Sequence, residues 1–449
     1  MTELQTSTAR ALRRILLERQ AKHRVPGVVG AVVRDWDLLW SDGVGSADVR
    51  RPGEPPDRDS KFAIASITKT FTAAVAMALR DEGKLSLDDT VDKHVPGTAH
   101  DGVTIRQLLS HSAGMQREPV GDIWDTLSPP ARDELVDCWN QAERVLPPHH
   151  RWHYSNLCYA MLGEIVARLD GRGWGDAVRA RVLEPLEMRS TTVGLVGPHV
   201  QGYYVPPFHD VPVTEPEPDW KAMDPAGSLA STAVDLAKWA AFLADPTKDV
   251  LAPETVEEMC QPQIVADTRG WNLAWGLGLE LVRRNGRVYV GHEGGNPGHV
   301  TGLFVDRESK TGGIALMNAT NAPEPAGVAV DLAEHVTKNE PVEPEPWLPG
   351  TEVPAEFAGV LGRWFSEGTA FSFTVDKGRL RAIAEDAPAH RKPSVFAQVG
   401  EDVYRTESER EQGELLRITR DADGTVTELH WATYLMTREP LAFGEHRRG

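Results

Sequence analysis

The order of strand-like and helical segments restricts this chain more than any other feature. Apolar runs at 28–33 and 38–40 form a hairpin pattern close to the N-terminus. Four further strand-like runs follow much later, at 278–282, 287–290, 302–306 and 313–317. Helical periodicity dominates the chain between them. Strands at both ends of a domain, with helices between them, are expected to pair in one sheet whose apolar faces pack against those helices. The order therefore predicts an α+β domain with one antiparallel sheet flanked by helices, beside a mostly helical subdomain.

A second, smaller domain is predicted beyond the first. The composition changes at 338–356, where Pro and Glu alternate over 340–346 as in a stiff, charged linker. Short alternating strand patterns follow it, separated by turn signals such as 421–424. We therefore predict three parts: a main domain over 1–337, a linker over 338–356, and a small antiparallel β-barrel over 357–449.

Ser66 and Lys69 stand three residues apart at the start of an apolar helical stretch. In a helix, positions i and i+3 lie side by side. A serine hydroxyl is a weak nucleophile at neutral pH unless a neighbouring base accepts its proton. A lysine amine can do so once its pKa falls from about 10.4 to near 7, a shift worth about 4 kcal/mol. The spacing itself is common in helices, so only the surrounding sequence can support a catalytic role for the pair.

The helix after Ser66 is predicted to pack into a core. Apolar residues from Ile67 to Leu79 recur at helical spacing, and Gly83 ends the pattern. Ser66 then lies near the N-terminal end of a buried helix, where free backbone N–H groups favour developing negative charge.

Tyr154 and Asn156 lie just before a second helical stretch that begins at Leu157. A phenol in this place can shuttle a proton, but with a pKa near 10 it needs adjacent cations to act as a base at pH 7. The Asn156 amide can donate to Lys69 or to a substrate carbonyl. The alternative is a purely structural role, in which the segment caps the helix and the tyrosine lies on the surface.

His292 is surrounded by glycines at a predicted strand end, in the segment 291–298. Glycines allow a ligand or another backbone to approach closely. The Gly295 N–H can then donate to an oxyanion together with the Ser66 N–H. A glycine-rich turn between strands is the alternative interpretation.

Charge and sequence patterns limit the partners of this chain. Its formal net charge is −18 at pH 7. An acidic surface repels nucleic acid and anionic membranes, so neither is expected as a partner. No leader pattern is visible, and no apolar run approaches the roughly 20 residues that span a bilayer, so a soluble, cytoplasmic protein is expected. The three cysteines lack metal spacing and are expected to be free thiols: Cys138, Cys158 and Cys260.

Metal and cofactor chemistry find little support in the sequence. Three histidines cluster before the Tyr154 motif: His149, His150 and His153. His292-Glu293 matches half of a zinc-protease motif, but Asn296 stands where its second histidine belongs. Phosphate-loop, dinucleotide and Gly-x-Ser-x-Gly patterns are absent from the sequence. No metal and no cofactor are therefore predicted.

The three motifs together resemble those of the serine β-lactamase and penicillin-binding-protein superfamily. They are Ser-Ile-Thr-Lys at 66–69, Tyr-Ser-Asn at 154–156 and His-Glu-Gly at 292–294, in this order. The resemblance covers roughly residues 10 to 335 and is nearest to the class C β-lactamase-like branch of esterases, D-aminopeptidases, amidases and acyltransferases. It implies a β-lactamase/transpeptidase-like fold, and the C-terminal part resembles the lipocalin-like barrels appended to some members.

The resemblance also implies roles for the residues of the first two motifs. Ser66 would be the acylated nucleophile, Lys69 its proton acceptor and Tyr154 a second acid/base, with Asn156 as a positioning amide. The backbone N–H groups of Ser66 and Gly295 would form the oxyanion hole.

The third motif departs from the β-lactamase pattern. True β-lactamases usually carry Lys-Thr-Gly where this chain has His292, Glu293 and Gly294. The missing lysine weakens binding of a β-lactam carboxylate, and His-x-Gly is similar to the esterase and aminopeptidase branches. His292, Gly294 and Gly295 are therefore expected to bind or position a substrate other than a β-lactam.

The leading interpretation is a serine hydrolase that forms an acyl-enzyme with a small-molecule ester or amide. An acyltransferase with an amine or alcohol acceptor is the second, because it shares the first half-reaction. A non-catalytic binding protein on the same scaffold is the third. The sequence predicts no oligomeric state.

Overall fold

The computed structural model describes residues 4–344, 346–350, 352–389 and 391–442. The chain divides into two compact units, 1–343 and 344–449. The domain limits that the sequence suggested, with a linker over 338–356, stay a prediction.

The helices of the first unit alternate with short turns of 3₁₀ helix and one π-helical turn at Arg179–Leu183. The α-helices are α1 Thr6–His23, α2 Thr68–Asp81, α3 Val91–His94, α4 Ile105–Leu109, α5 Ile123–Thr126, α6 Leu135–Gln141, α7 Asn156–Asp170, α8 Trp174–Val178, α9 Asp224–Gly227, α10 Ala233–Ala244, α11 Pro253–Met259 and α12 Pro325–Asn339.

The strands of the first unit are β1 Gly27–Arg34, β2 Asp37–Gly45, β3 Phe62–Ala63, β4 Thr192–Val193, β5 Tyr203–Tyr204, β6 Val213–Thr214, β7 Leu229–Ser231, β8 Ile264–Val265, β9 Leu273–Trp275, β10 Glu280–Arg284, β11 Arg287–Asn296, β12 His299–Asp306 and β13 Thr311–Met317. Those of the second unit are β14 Gly362–Ser366, β15 Thr369–Asp376, β16 Arg379–Ala384, β17 Ser394–Gly400, β18 Val403–Thr406, β19 Leu415–Arg420, β20 Val426–Trp431 and β21 Tyr434–Met436.

The main sheet joins the two ends of the first unit, as the sequence predicts. Its order is β2-β1-β13-β12-β11-β10-β9-β8, with neighbours antiparallel. Strand β1 pairs with β13 from Val28 opposite Met317 to Arg34 opposite Thr311. The α+β fold with an antiparallel sheet and flanking helices is therefore confirmed.

Both faces of β1 are buried, and its alternate residues belong to two different cores. Val28 and Val32 pack with α1 and α12, whereas Val29 and Val33 pack with the helices on the other face. On that other face, α2 and α10 meet through Phe71, whose ring stacks on Trp239 with centroids 4.3 Å apart. A sheet covered by helices on both sides explains why β1 is a continuous apolar run.

Most of the glycine-rich segment around His292 extends the strand that the sequence predicted over 287–290. Residues 291–296 belong to β11, which pairs with β12 as far as His299, and residues 297–298 form the turn between the two strands. Glycine is compatible with a strand here because other atoms pack where side chains would stand. A Cβ on Gly294 would lie 2.4 Å from the carbonyl oxygen of Ile64.

The second unit is an eight-stranded antiparallel sheet in simple sequence order, from β14 to β21. A bridge between Phe365 and Thr437 brings the first strand to the last, so the barrel is nearly closed. Its interior is filled by buried aromatic side chains, with Trp364, Phe373 and Phe396 at 2% exposure or less. The predicted barrel is confirmed.

Within the described residues, none of the helices has both the length and the apolar character that crossing a membrane requires.

Candidate active site

Ser66 sits on a tight turn that leads into α2. The turn is a 3₁₀ helix over Ala65–Ile67, and α2 begins at Thr68. Ala65 is buried and has φ +48°, a left-handed conformation that costs free energy in a residue with a Cβ. Such a conformation persists only where the surroundings hold it, and the Ile64 carbonyl is held by the Thr301 hydroxyl at 3.0 Å. The turn therefore presents Ser66 in one fixed position.

Lys69 lies directly behind Ser66 and is fully buried. Its Nζ is 2.9 Å from Ser66 Oγ and donates to the Ala226 carbonyl oxygen at 2.5 Å. Burial lowers the pKa of Lys69 well below its usual value, with Arg117 acting in the same direction and Glu118 opposing it. A neutral amine at this distance can take the hydroxyl proton of Ser66.

Tyr154 faces the same pair of side chains. The Ser66 side chain lies near the Tyr154 hydroxyl and lowers the pKa of the phenol. Lys69 Nζ and the Arg117 guanidinium each lie 5.0 Å from its ring centroid, and His111 stacks on the ring at 4.3 Å. Burial nevertheless raises the pKa of Tyr154 above its usual value, more than Ser66 and Arg117 lower it. The phenol therefore keeps its proton at neutral pH and can donate it.

Asn156 begins α7 directly after its N-cap residue, Ser155, whose hydroxyl accepts from the Cys158 N–H at 3.2 Å. The Asn156 amide nitrogen donates to Glu118 Oε1 at 2.7 Å. This contact differs from the expected donation to Lys69 or to a substrate carbonyl, because a carboxylate acceptor lies closer at hand.

Arg117 and Glu118 were missed by the sequence analysis. The Arg117 carbonyl oxygen accepts from the Asn156 N–H at 2.8 Å, which ties their segment to the start of α7. Both residues follow the segment 104–114, but no periodicity or spacing marks them as site residues. Their role depends on a tertiary contact.

His292, Gly294 and Gly295 come from β11 and line the same cavity as Ser66 and Tyr154. His292 is buried, and its ring meets that of Tyr154 at 6.2 Å between centroids. Gly294 packs against the turn that carries Ser66, whereas nothing lies within 4 Å of a Cβ built on Gly295. Of the predicted site residues, Gly294 thus supports the turn and Gly295 borders open space.

The cavity has a volume of about 360 Å³ and an aromatic wall. Trp152 packs on Trp275 with ring centroids 5.0 Å apart, and Trp124 meets Trp220 edge-on at 5.4 Å. Such a wall suits an apolar or aromatic substrate group next to the nucleophile.

Glu280 is a further cavity residue that the sequence analysis did not identify. It is 6% exposed, and burial followed by the charge of Glu293 raises its pKa to about 8. The one sequence signal that can find it is an acidic residue inside the apolar run 277–282.

The histidine cluster before Tyr154 has structural contacts. The His153 N–H donates to the His111 carbonyl oxygen at 2.9 Å, and the His149 N–H donates to the Ser112 carbonyl oxygen at 2.8 Å. No three His, Cys, Asp or Glu residues come together as metal ligands in the part of the chain that the structure describes.

A family profile described as Beta-lactamase matches residues 12–338, and one described as a domain of unknown function, DUF7586, matches 353–438. The first match covers most of the chain, so this protein belongs to the Beta-lactamase family. The resemblance drawn from the three motifs is thereby confirmed.

Relatives of this chain include named hydrolases and penicillin-binding proteins. An unguisins hydrolase of Aspergillus campestris is 29% identical over 344 residues, which are 68% of this chain and 61% of that protein. This chain thus spans less than two thirds of that relative. Penicillin-binding protein 4 of Amycolatopsis lactamdurans is 29% identical over 381 residues, 78% of this chain and 96% of that protein.

Among solved structures, the D-amino acid amidase of Ochrobactrum anthropi SV3, complexed with L-phenylalanine amide, superposes with a TM-score of 0.64. It is 26% identical, and the match covers 75% of this chain and 99% of that one.

Proposed function

We propose that this protein is a serine hydrolase that forms an acyl-enzyme on Ser66 from a small-molecule ester or amide. The 2.9 Å contact between Lys69 Nζ and Ser66 Oγ, beside the Tyr154 hydroxyl, carries the proposal. The hydrolase and the amidase among its relatives support this substrate class.

In the first half-reaction, Ser66 Oγ attacks the substrate carbonyl carbon and its proton passes to the neutral Lys69 amine. The backbone N–H groups of Ser66 and Gly295 are proposed to stabilise the oxyanion. As the tetrahedral intermediate collapses, Tyr154 protonates the departing alcohol or amine. The Lys69 ammonium then returns a proton to the phenolate, so that Lys69 and Tyr154 regain their starting states and one proton in total has passed from Ser66 to the leaving group.

In the second half-reaction, water attacks the acyl carbonyl carbon and gives its proton to Lys69 by way of Tyr154. The bond to Ser66 Oγ breaks and the oxygen regains a proton, which releases the acid. Asn156 and His292 are proposed to position the substrate, with Asn156 held in place by Glu118.

Acyl-enzyme formation is tested by intact-mass measurement after exposure to a fluorophosphonate, p-nitrophenyl esters and D-amino-acid amides. Ser66→Ala is expected to abolish labelling and to lower kcat by about 10³-fold or more, because the nucleophile is removed. Ser86→Ala, a change at an exposed serine, is the matched control and should keep wild-type turnover. Near-wild-type turnover of Ser66→Ala would contradict the proposal.

The acceptor is tested with an added primary amine at millimolar concentration. We expect the free acid as the main product, because water is the proposed acceptor. Amide product forming faster than acid would instead favour an acyltransferase.

A further inference from the structure

The hydrogen bond of His292 determines which ring nitrogen carries its proton. His292 Nδ1 lies 2.5 Å from the carbonyl oxygen of Glu293. A carbonyl oxygen can only accept, so Nδ1 must be the protonated nitrogen. In a neutral imidazole, Nε2 is then an acceptor with a free lone pair.

The surroundings of His292 keep the imidazole neutral. It is 2% exposed and faces Lys69 from α2, Tyr154 from the start of α7 and Trp275 from β9. Burial lowers the pKa of His292 to about 3, and the nearby Lys69 acts in the same direction. His111 contributes no positive charge at neutral pH, because burial also lowers its pKa well below the usual value.

Several buried polar atoms of the cavity lack a hydrogen-bond partner among the described residues, and two of them lie on neighbouring strands: His292 Nε2 on β11 and Glu280 Oε2 on β10. Glu280 on β10 lies in register with Gly291 on β11, the residue before His292. His292 and Glu280 both line the cavity that contains Ser66. Buried polar atoms are rarely left unpaired, which suggests that a ligand supplies the missing partner.

We propose that His292 Nε2 and the Glu280 carboxyl group form a subsite in which Nε2 accepts a hydrogen bond from an N–H or O–H group of the substrate, so that a carboxamide binds better than a carboxylate. This inference rests on the proposed function and specifies which hydrogen-bonding group the substrate presents to His292. A lysine at position 292 would offer a cation and only donors, whereas neutral His292 offers a lone pair. A carboxylate would place its own lone pairs against that acceptor, whereas a carboxamide offers it an N–H and can accept from the Glu280 carboxyl group, which keeps its proton at neutral pH because burial raises its pKa.

The first test compares p-nitrophenyl esters of one chain length whose acyl ends are a carboxamide, a carboxylate or a methyl group. The wild-type protein is expected to show a kcat/KM at least about 10-fold higher for the carboxamide than for the carboxylate. His292→Lys is expected to shift this ratio by about 10-fold or more towards the carboxylate, with His292→Gln as the uncharged control. An unchanged ratio in His292→Lys, with acylation intact, would overturn the inference and leave the proposed hydrolase standing.

The second test needs no activity and serves if His292→Lys fails to fold. Long-range proton–nitrogen NMR correlations of the full chain labelled with ¹⁵N-histidine should show Nδ1 protonated and Nε2 bare from pH 6 to 8. The signal is assigned by its loss in His292→Gln. A proton on Nε2 would overturn the inference. Absence of acylation by every ester would overturn the proposed function instead. The NMR result would then still decide whether His292 presents a hydrogen-bond acceptor to the cavity.

Discussion

At the scale of single residues, burial has more influence than neighbouring charges on protonation in the cavity. Lys69 has a lowered pKa although Glu118 opposes the shift, and Tyr154 has a raised pKa although Arg117 opposes it. A low-dielectric site disfavours the charged form of each group. The result is a neutral Lys69 amine and a neutral Tyr154 phenol next to the Ser66 hydroxyl. The amine can accept a proton and the phenol can donate one.

Tyr154→Phe is expected to lower kcat by about 10²- to 10⁴-fold, because the leaving group loses its proton donor. Tyr159→Phe is the matched control, since its ring also lies near Lys69, at 5.6 Å, but its hydroxyl donates to the Leu109 carbonyl oxygen. The control should cost about 1 kcal/mol of stability and leave turnover within a few-fold. Steady-state kinetics and urea unfolding separate the two effects. Equal kcat values for the two variants would contradict the role of Tyr154.

Glu280→Gln is expected to change how stability depends on pH. In wild type, the Glu280 pKa of about 8 exceeds its usual 4.5, so the native state keeps a proton that the unfolded state releases between these values. Stability therefore falls as pH rises from about 4.5 to about 8, by a contribution on the order of 5 kcal/mol. Urea unfolding from pH 4.5 to 9 should show the variant gaining stability over wild type as pH rises. Parallel curves would contradict the raised pKa.

Spacing alone predicted Lys69 beside Ser66, because the two residues lie one helical turn apart. Tyr154 joined this prediction only through the resemblance of the three motifs to a known superfamily. Glu118 and Glu280 were not predictable in this way. A single acidic residue in a sequence gives no sign of whether water or a cavity wall surrounds it.

At the scale of elements, strand β11 and the turn that carries Ser66 support each other. Gly294 on β11 packs on Ile64 and Ala65, and the Thr301 hydroxyl on β12 bonds to the Ile64 carbonyl oxygen. The turn conformation at Ala65 is unfavourable by itself, so these contacts hold it.

Gly294→Ala is expected to destabilise the protein by about 1–3 kcal/mol, since the new Cβ would lie 2.4 Å from a backbone oxygen and 2.8 Å from Thr301 Oγ1. Gly295→Ala, one residue further, is the matched control because nothing lies within 4 Å of its Cβ. Urea unfolding should show little loss for the control. Equal losses in both variants would show that close packing at Gly294 is not the cause.

The glycine-rich segment shows why sequence patterns can misplace an element boundary. Glycines usually weaken a strand, so the segment around His292 was expected at a strand end. In the fold, β11 passes so close to the Ser66 turn that Gly294 has no room for a side chain. The close approach of two backbones made glycine compatible with a continuous strand.

At the scale of the whole molecule, the two units have separate cores. The core of the second unit is built from residues of the barrel, such as Trp364 and Trp431. Across the boundary of the two units, the described residues of 341–350 are exposed and form no helix or strand.

Limited digestion with a protease specific for Glu should cut first at Glu343, because this residue is exposed and lies outside any helix or strand. Glu164 is the internal comparison, since it lies within α7 and pairs with Arg132 and Arg168. Mass spectrometry should find two resistant fragments early in the digestion. Early cleavage at Glu164, or no cleavage near 340–343, would contradict this description of the linker.

The sequence by itself determined the strand and helix order, the three motifs and hence the family, because local periodicity and short spacings encode them. Only the tertiary structure decided which acidic groups share the cavity, that Lys69 is fully buried, and that His292 presents a lone pair. These properties depend on distances between segments far apart in the chain and on the exclusion of water. Neither of these is encoded in the order of residues around any single motif.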